Sequence, residues 1–314
     1  MKLFKYLVLG LVLIGLTASC GDDDDNGGFS VEVRDPEEVQ IENAAEIESF
    51  LQTHYFEFID NPLHPNFQEF VFDSIVEGDD REPIIESDLL QSKQIVQQGV
   101  EYTLYYMVIR EGNAQERKPF FSDSTFVTYK GITIDNNTFD SSPNPIWFDL
   151  TNSIRGFYEL LPELRGSSGF VENSDGTVTF NDDFGIGVVF IPSGLAYFAS
   201  PPLGSGILRY QPIIFSVQLY QSKEADHDRD GVPSHLEDVN NDGRVDDRID
   251  GEFFGDDTDE NGIPDFLDVD DDGDGVLTRD EISDEDGNII FPYPDSNADG
   301  IPDYLDPDFP GETT

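Results

Sequence analysis

From Val100 onward, apolar and polar positions alternate. Tyr102, Leu104, Tyr106 and Val108 oppose Thr103, Tyr105 and Met107, the period of two that predicts a half-buried strand. The same texture returns at 125–129, 187–191 and 213–220. Between these runs only 154–164 has helical spacing, with Ile154, Phe157, Tyr158, Leu160 and Leu161 able to share a face until Pro162 cuts it short. Many strands and one short helix predict an α+β unit, an antiparallel sheet wrapped on that helix. Further upstream, Ala44, Ile47, Phe50, Leu51 and Tyr55 predict an amphipathic helix with Asn43 as its cap. Residues 61–92 mix Pro62, Pro65 and Pro83 with scattered apolar side chains and predict no element.

The N-terminus has a different pattern: Lys2 and Lys5, an apolar run over 6–16, then Thr17-Ala18-Ser19-Cys20. These are the charged, apolar and small-residue regions of an export signal, too short for a good membrane-spanning helix. Cys20 is the only cysteine, so it has no disulfide partner within the chain. Its setting resembles a bacterial lipobox, which implies lipidation of Cys20 and a membrane partner through that anchor. Gly21 and the run Asp22 to Asp25 resemble an acidic tag for the cell surface and equally suit a solvated spacer. The expected place is the cell envelope, at the outer membrane or the cell surface. The expected division is a signal at 1–19, an acidic tether at 20–40, a small helical extension at 41–98, a main domain at 99–222 and a separate tail at 223–314.

Charge sharpens the picture of that tail. The 314 residues carry 66 acids against 17 Lys and Arg, a formal net charge of -49. Nothing here neutralises phosphates, so nucleic acid is excluded as a partner and cations are the natural counterpart. About half of the acids follow Glu224, and they are patterned. Asp270, Asp272, Asp274, Gly275, Val276 and Glu281 match positions 1, 3, 5, 6, 7 and 12 of a calcium loop. Asp257, Asp259, Asn261, Gly262, Ile263 and Asp268 repeat the layout, as do Asp295, Asn297, Asp299, Gly300, Ile301 and Asp306. A fourth copy has Asp226, Asp228, Asp230, Gly231, Val232 and Glu237, and Asp238, Asn240, Asp242 and Gly243 form a weaker segment. Alternate oxygen ligands curl round one ion, glycine permits the sharp turn, and a later acid closes the shell. The expected cofactor is structural calcium, against the alternative of a disordered polyanion. Proline follows the apolar position in Gly262-Ile263-Pro264-Asp265 and Gly300-Ile301-Pro302-Asp303, so the phrase looks less like EF-hands than like thrombospondin type 3 repeats.

The main domain also carries a resemblance. Val127-Thr128-Tyr129-Lys130-Gly131, Phe139-Asp140-Ser141-Ser142, Ile154-Arg155-Gly156-Phe157, Ile191-Pro192 with Ala196-Tyr197, and Ile214-Phe215-Ser216-Val217-Gln218-Leu219 stand in order along the chain. Together they resemble an FKBP-type peptidyl-prolyl cis-trans isomerase over 99–222. The resemblance implies a shallow apolar pocket between sheet and short helix that accepts a proline ring. Matched by position, its lining is Tyr129, Phe139, Ile146, Ile154, Phe157, Tyr197 and Phe215, with Asp140 at the rim. It further implies that Tyr197 bonds a substrate carbonyl, and that Asp140, held near the Tyr129 hydroxyl, faces the rotating amide as a polar guide. Substrates would be proline-containing polypeptides, and isomerisation would need no cofactor. Taken singly, Phe139, Ile154 and Phe215 suit any core, Tyr129 and Tyr197 suit a surface lip, and Asp140 suits a turn. Only their joint occurrence points to a pocket.

Three departures bear on activity. Phe157 stands where the family usually has Trp, and Phe198 stands where it usually has Gly, so the loop must bend by another route. An insertion at 167–187 carries Asp175-Gly176 as a hairpin turn, and it either extends the sheet or overhangs the pocket. The leading expectation is an isomerase assisting exported proteins at the envelope. Its alternative is a non-catalytic, calcium-dependent surface binding or adhesion lipoprotein that uses the same domain as a scaffold. A hydrolase built on His54, His64, His227 or His235 has no supporting motif.

Overall fold

Strand Ile213–Lys223 shows why the sheet is covered on both sides: Ile213, Phe215, Val217 and Leu219 join one apolar cluster, while Ile214 and Tyr220 join another. Ser216 and Gln218 stand between them on the second face and are buried too, so 213–220 alternates in sequence although both of its faces are covered. The computed structural model describes residues 32–60, 67–245, 248–249, 252–253 and 255–308. The signal at 1–19, Cys20 and the acidic run after it lie outside the described residues. Among the described residues no helix is long and apolar enough to cross a membrane.

The main sheet has six strands, β3 (Leu90–Gln97), β4 (Val100–Arg110), β5 (Ser124–Thr133), β6 (Thr138–Asp149), β9 (Gly185–Ile191) and β10 (Ile213–Lys223), in the order β3-β4-β9-β10-β5-β6. Every neighbouring pair is antiparallel. The short helix α2 (Arg155–Tyr158) lies on one face, so the expected antiparallel sheet on a short helix is present. Gly156 permits the close approach, because a Cβ there would sit 2.2 Å from the Ile191 side chain on β9. β3 belongs to this sheet although it precedes residue 99. It was unreadable as a strand because only Ile95 is buried along an otherwise polar edge.

The second face is covered by elements that the sequence reading placed differently. Helix α1 spans Pro36–Thr53, so it starts inside the expected tether, and its buried face is Val39, Asn43, Ile47, Phe50 and Leu51. Its cap is Asp35, whose side chain accepts from the Glu37 and Glu38 N–H groups at 2.8 and 3.2 Å. Tyr55 lies beyond the helix, in a hairpin of β1 (His54–Asp60) and β2 (Gln68–Ser74). Phe50, Phe70 and Phe72 pack with Phe190 of β9 against this face.

Asn43 is not a cap but a buried staple. Its Oδ1 accepts from the Ser193 N–H and Oγ–H, both at 2.7 Å, and its Nδ2 donates to the Tyr210 carbonyl at 2.8 Å. These bonds hold the two ends of the loop that carries Tyr197. Asn43→Ala leaves those partners buried without it, and we expect a loss of about 2–3 kcal/mol in a denaturant titration.

The insertion forms a hairpin of β7 (Phe170–Glu172) and β8 (Val178–Phe180). Phe180 packs on Tyr220 with ring centroids 4.6 Å apart and belongs to the α1-side cluster. The hairpin is therefore seated on the face opposite α2, not over it.

Residues after Lys223 form a chain of turns with few regular elements, the longest being the four-residue helix α3 (Thr278–Glu281). The tail and the sheet belong to one compact unit running from Arg34 to Thr314. They meet at named contacts: His227 Nε2 lies 3.2 Å from Asp149 Oδ2, and His235 stacks on Phe120 at 3.6 Å.

Candidate active site and acidic tail

The residues expected to line a pocket converge on the α2 face. Tyr129 of β5, Phe157 of α2 and Phe215 of β10 are buried at 7, 4 and 5 % exposure and form the floor. Phe157 lies 5.2 Å from Phe215 and 6.3 Å from Tyr129, edge to face in both cases. Phe139, Ile154 and Tyr197 are half-buried against this floor. Gly131 makes room for the first of them, since a Cβ there would fall 2.5 Å from the Phe139 ring and 2.8 Å from the Phe215 ring.

Asp140 is exposed at the edge of the cluster, opposite Gly131 across the β5–β6 pair. The Tyr129 hydroxyl donates to Asp140 Oδ2 at 2.7 Å. Burial, and then this bond, push the Tyr129 hydroxyl well above the usual tyrosine range, so it remains a neutral donor at physiological pH. Tyr197 is raised in the same sense by burial and by the charge of Asp140, which places it in the same electrostatic field. Two hydroxyls and one carboxylate thus border an aromatic surface with no other charged group among the residues that form it. Such a border supplies hydrogen bonds to a peptide while the floor excludes water.

Two expectations need correction. Ile146 is 38 % exposed and is not part of the packed cluster. It pairs with Val127, but the register shifts between Val127 and Tyr129, and β6 is the edge of the sheet, so Ile146 rides on the lip. Phe148 takes the place expected of it. Paired with Thr125, Phe148 lies 5.3 Å from Tyr129 and 5.5 Å from Phe157. Trp147 points to the other face and stacks on Phe126 at 5.0 Å. Strand alternation sets Trp147 on the other face but leaves Ile146 and Phe148 on the same one, so the bulge that made this swap had no signal in the sequence.

The loop after Tyr197 does not find another route around the missing glycine. Phe198 itself adopts φ 45°, the left-handed region that costs a side-chain residue about 1–2 kcal/mol. Its N–H donates to the Ser193 carbonyl at 2.9 Å, its carbonyl accepts from the Tyr210 N–H at 2.8 Å, and its ring packs on Tyr210 at 5.0 Å. The Asn43 staple grips Ser193 and Tyr210, the two residues on which Phe198 depends.

In the tail, the four patterned loops share one geometry. Position 6 is a left-handed glycine in each, at φ 108, 92, 96 and 99° for Gly231, Gly262, Gly275 and Gly300. Position 4 is left-handed too, in Arg229, Glu260, Gly273 and Ala298. The N–H of the second residue donates to a side chain seven residues on, in the pairs His227–Ser234, Thr258–Asp265, Asp271–Thr278 and Ser296–Asp303. Asn241 and Gly243 have the same two left-handed angles in the weaker segment.

The expected ligands gather unequally. Asp270, Asp272 and Asp274 come within 4.8 Å of one another, and so do Asp228, Asp230 and Glu237. Asp226 and Glu281 are not in those groups. Asp259 and Asp268 converge on the Asn261 amide at 2.9 and 2.7 Å, and Asp299 and Asp306 converge on the Asn297 amide at 3.2 and 2.8 Å. Asp257 and Asp295 instead accept backbone N–H groups of their own loops. Two acids outside the expected set also join the clusters: Asp271 meets the Asp228 group, and Asp256 meets Asp238 and Asp242. Burial and neighbouring acids push Asp256 up to about 7, Asp272 to about 6 and Glu237 to about 11. Buried carboxylates with oxygen-only neighbours suit a hard divalent cation such as calcium.

A family described as BamM C-terminal matches residues 227–294. FkpA from Escherichia coli is similar at 26% identity and TM-score 0.32, covering 44% of this chain and 53% of its own. A peptidyl-prolyl cis-trans isomerase from Pseudomonas syringae pv. tomato str. DC3000 is similar at 15% identity and TM-score 0.36, covering 62% of this chain and 100% of that one. The N-terminal domain of FKBP42 from Arabidopsis thaliana is similar at 15% identity and TM-score 0.31, covering 43% and 94%. The chain thus spans about half the length of FkpA. No curated protein matches it.

Proposed function

We propose that the chain is a peptidyl-prolyl cis-trans isomerase acting on exported polypeptides at the cell envelope, anchored through Cys20 and carrying a calcium-ordered tail. The observation that carries this reading is the 2.7 Å bond from Tyr129 to Asp140 at the edge of the Phe139, Phe148, Phe157 and Phe215 rings. A proline ring laid on that floor would be gripped by aromatic faces while its amide stands at the polar edge. The barrier is loss of amide resonance, about 18–20 kcal/mol. The twisted amide is less dipolar at oxygen than the planar one, so a surface that withdraws water favours the twist. Asp140 guides the rotating amide and Tyr197 holds a flanking carbonyl; neither transfers a proton. The seat of the 167–187 hairpin on the far face supports catalysis over the scaffold-only alternative, because that insertion does not lie over the aromatic cluster.

The test is a proline-peptide isomerisation assay on variants of the full chain. Asp140→Ala and Tyr197→Phe are each expected to lower kcat/KM by about tenfold, the effect of about 1.4 kcal/mol in the transition state. The thermal midpoint should stay within a few degrees. Variants as fast as the parent would remove the assigned roles.

A further inference from the structure

Asp271 belongs by sequence to the 270–281 loop, the third in chain order, yet its carboxylate meets those of the first, 226–237. One oxygen each from Asp228, Asp230, Glu237 and Asp271 lie within 4.8 Å of one another. Asp230, Glu237 and Asp271 are only 2, 1 and 1 % exposed. Neither Glu237 oxygen has a hydrogen-bond partner among the described residues, and Asp228 and Asp230 each leave one Oδ without one. Arg279 reaches the Asp230 main-chain carbonyl at 3.5 Å. Three buried carboxylates and a half-buried fourth, with lone pairs left unfilled, are costly unless protons or a cation draw them together.

We propose that Asp228, Asp230, Glu237 and Asp271 form a single calcium site that bridges the first and third loops. This rests on the cation-binding reading of the tail and goes beyond it. A loop of this type closes its shell with its own twelfth residue. Here Glu237 does so together with an acid contributed from another loop. The oxygen-only, carboxylate-rich set excludes a preference for soft metals, and its charge suits calcium better than magnesium, which retains several waters. The bridge fixes the loop that carries His227, and through His227 it fixes Asp149 of β6, next to Phe148.

The site predicts an inversion of sign at Asp271, an acid that a site confined to the 226–237 loop would leave out. Asp271→Asn removes one of four mutually repelling carboxylates and one ligand. In the metal-stripped full chain its thermal midpoint should therefore rise above the parent's, and in calcium chloride it should fall below it. Calorimetric titration with calcium chloride should give one ion fewer, or one site weakened at least tenfold. Glu237→Gln should do the same, and the double variant should be no worse than either single one. Asp286→Asn, exposed and outside the site, should match the parent. Parent-like calcium binding in Asp271→Asn, with a site lost in Glu237→Gln, overturns the bridge and leaves a one-loop site. A parent that binds no calcium overturns the cation reading of the tail itself. Magnesium chloride acting as well as calcium chloride overturns the choice of ion. Should Asp271→Asn fail to fold, Asp271→Glu takes its place: weakened calcium affinity supports the bridge, and parent affinity overturns it.

Discussion

Stripping divalent cations from the full chain is expected to destabilise the tail from 226 onward selectively, while the six-stranded sheet keeps its stability. The tail's largest apolar cluster is small, with Val232, Ile282 and Tyr304 at its centre, so little besides its polar turns holds it. Its buried acids repel without a counter-ion. At a Kd on the order of 0.1 mM, raising calcium to about 10 mM adds about 2.7 kcal/mol per site. Two separated thermal transitions should appear in chelator, merging or moving upward together with calcium. The pH dependence must then reverse between the two states. Burial raises Asp228 and Asp256 to about 7 and Asp230 and Asp272 to about 6, above the usual carboxylate range. An acid raised by folding stabilises fully below its unfolded pKa and loses that contribution as pH rises through its folded value. The metal-stripped tail should accordingly be more stable near pH 4 than at pH 8, and the calcium-loaded tail less stable near pH 4 than at pH 8, because protons compete for the ligands. Scanning calorimetry in both states checks this. Identical profiles would remove the metal.

Phe157→Ala is expected to cost about 3–5 kcal/mol and to abolish isomerisation. Its ring is 4 % exposed and touches Phe148, Phe215 and Tyr129, so truncation opens a hole in the floor on which proline would rest. That loss is a large share of a typical domain's 5–15 kcal/mol, and Phe157→Leu offers a milder probe. Leu keeps an apolar floor but no aromatic face. It should lower kcat/KM by about tenfold while retaining the sheet's near-native circular dichroism. Full activity in a folded Phe157→Leu protein would deny the ring its role.

The legible parts of the molecule were those in which one side chain has one job. The central strands announced themselves by alternation, and Tyr129, Phe139, Phe157, Tyr197 and Phe215 were picked out by the family resemblance and do come together in the fold. What escaped notice had two jobs or too little apolar content. The start of α1 is written in Asp35-Pro36-Glu37-Glu38, a good cap and first turn, but it stands in an acid-rich stretch that reads as solvated tether. β2 alternates Phe70 and Phe72 in a stretch punctuated by Pro62, Pro65 and Pro83, and β3 has a single buried side chain. Ile146 and Phe148 differ only by register, which a bulge decides. Asp271 occupies a loop position that supplies no ligand within its own turn, so only the packing of two loops could reveal it.

The most direct test is the rate at which a short Xaa-Pro peptide relaxes from cis to trans in the presence of the full, calcium-loaded chain. Uncatalysed relaxation takes tens to hundreds of seconds. The account predicts a rate that rises in proportion to protein concentration and that falls when Asp140 is replaced by Ala. A relaxation rate equal to that of the peptide alone, at every concentration of a folded protein, would contradict it.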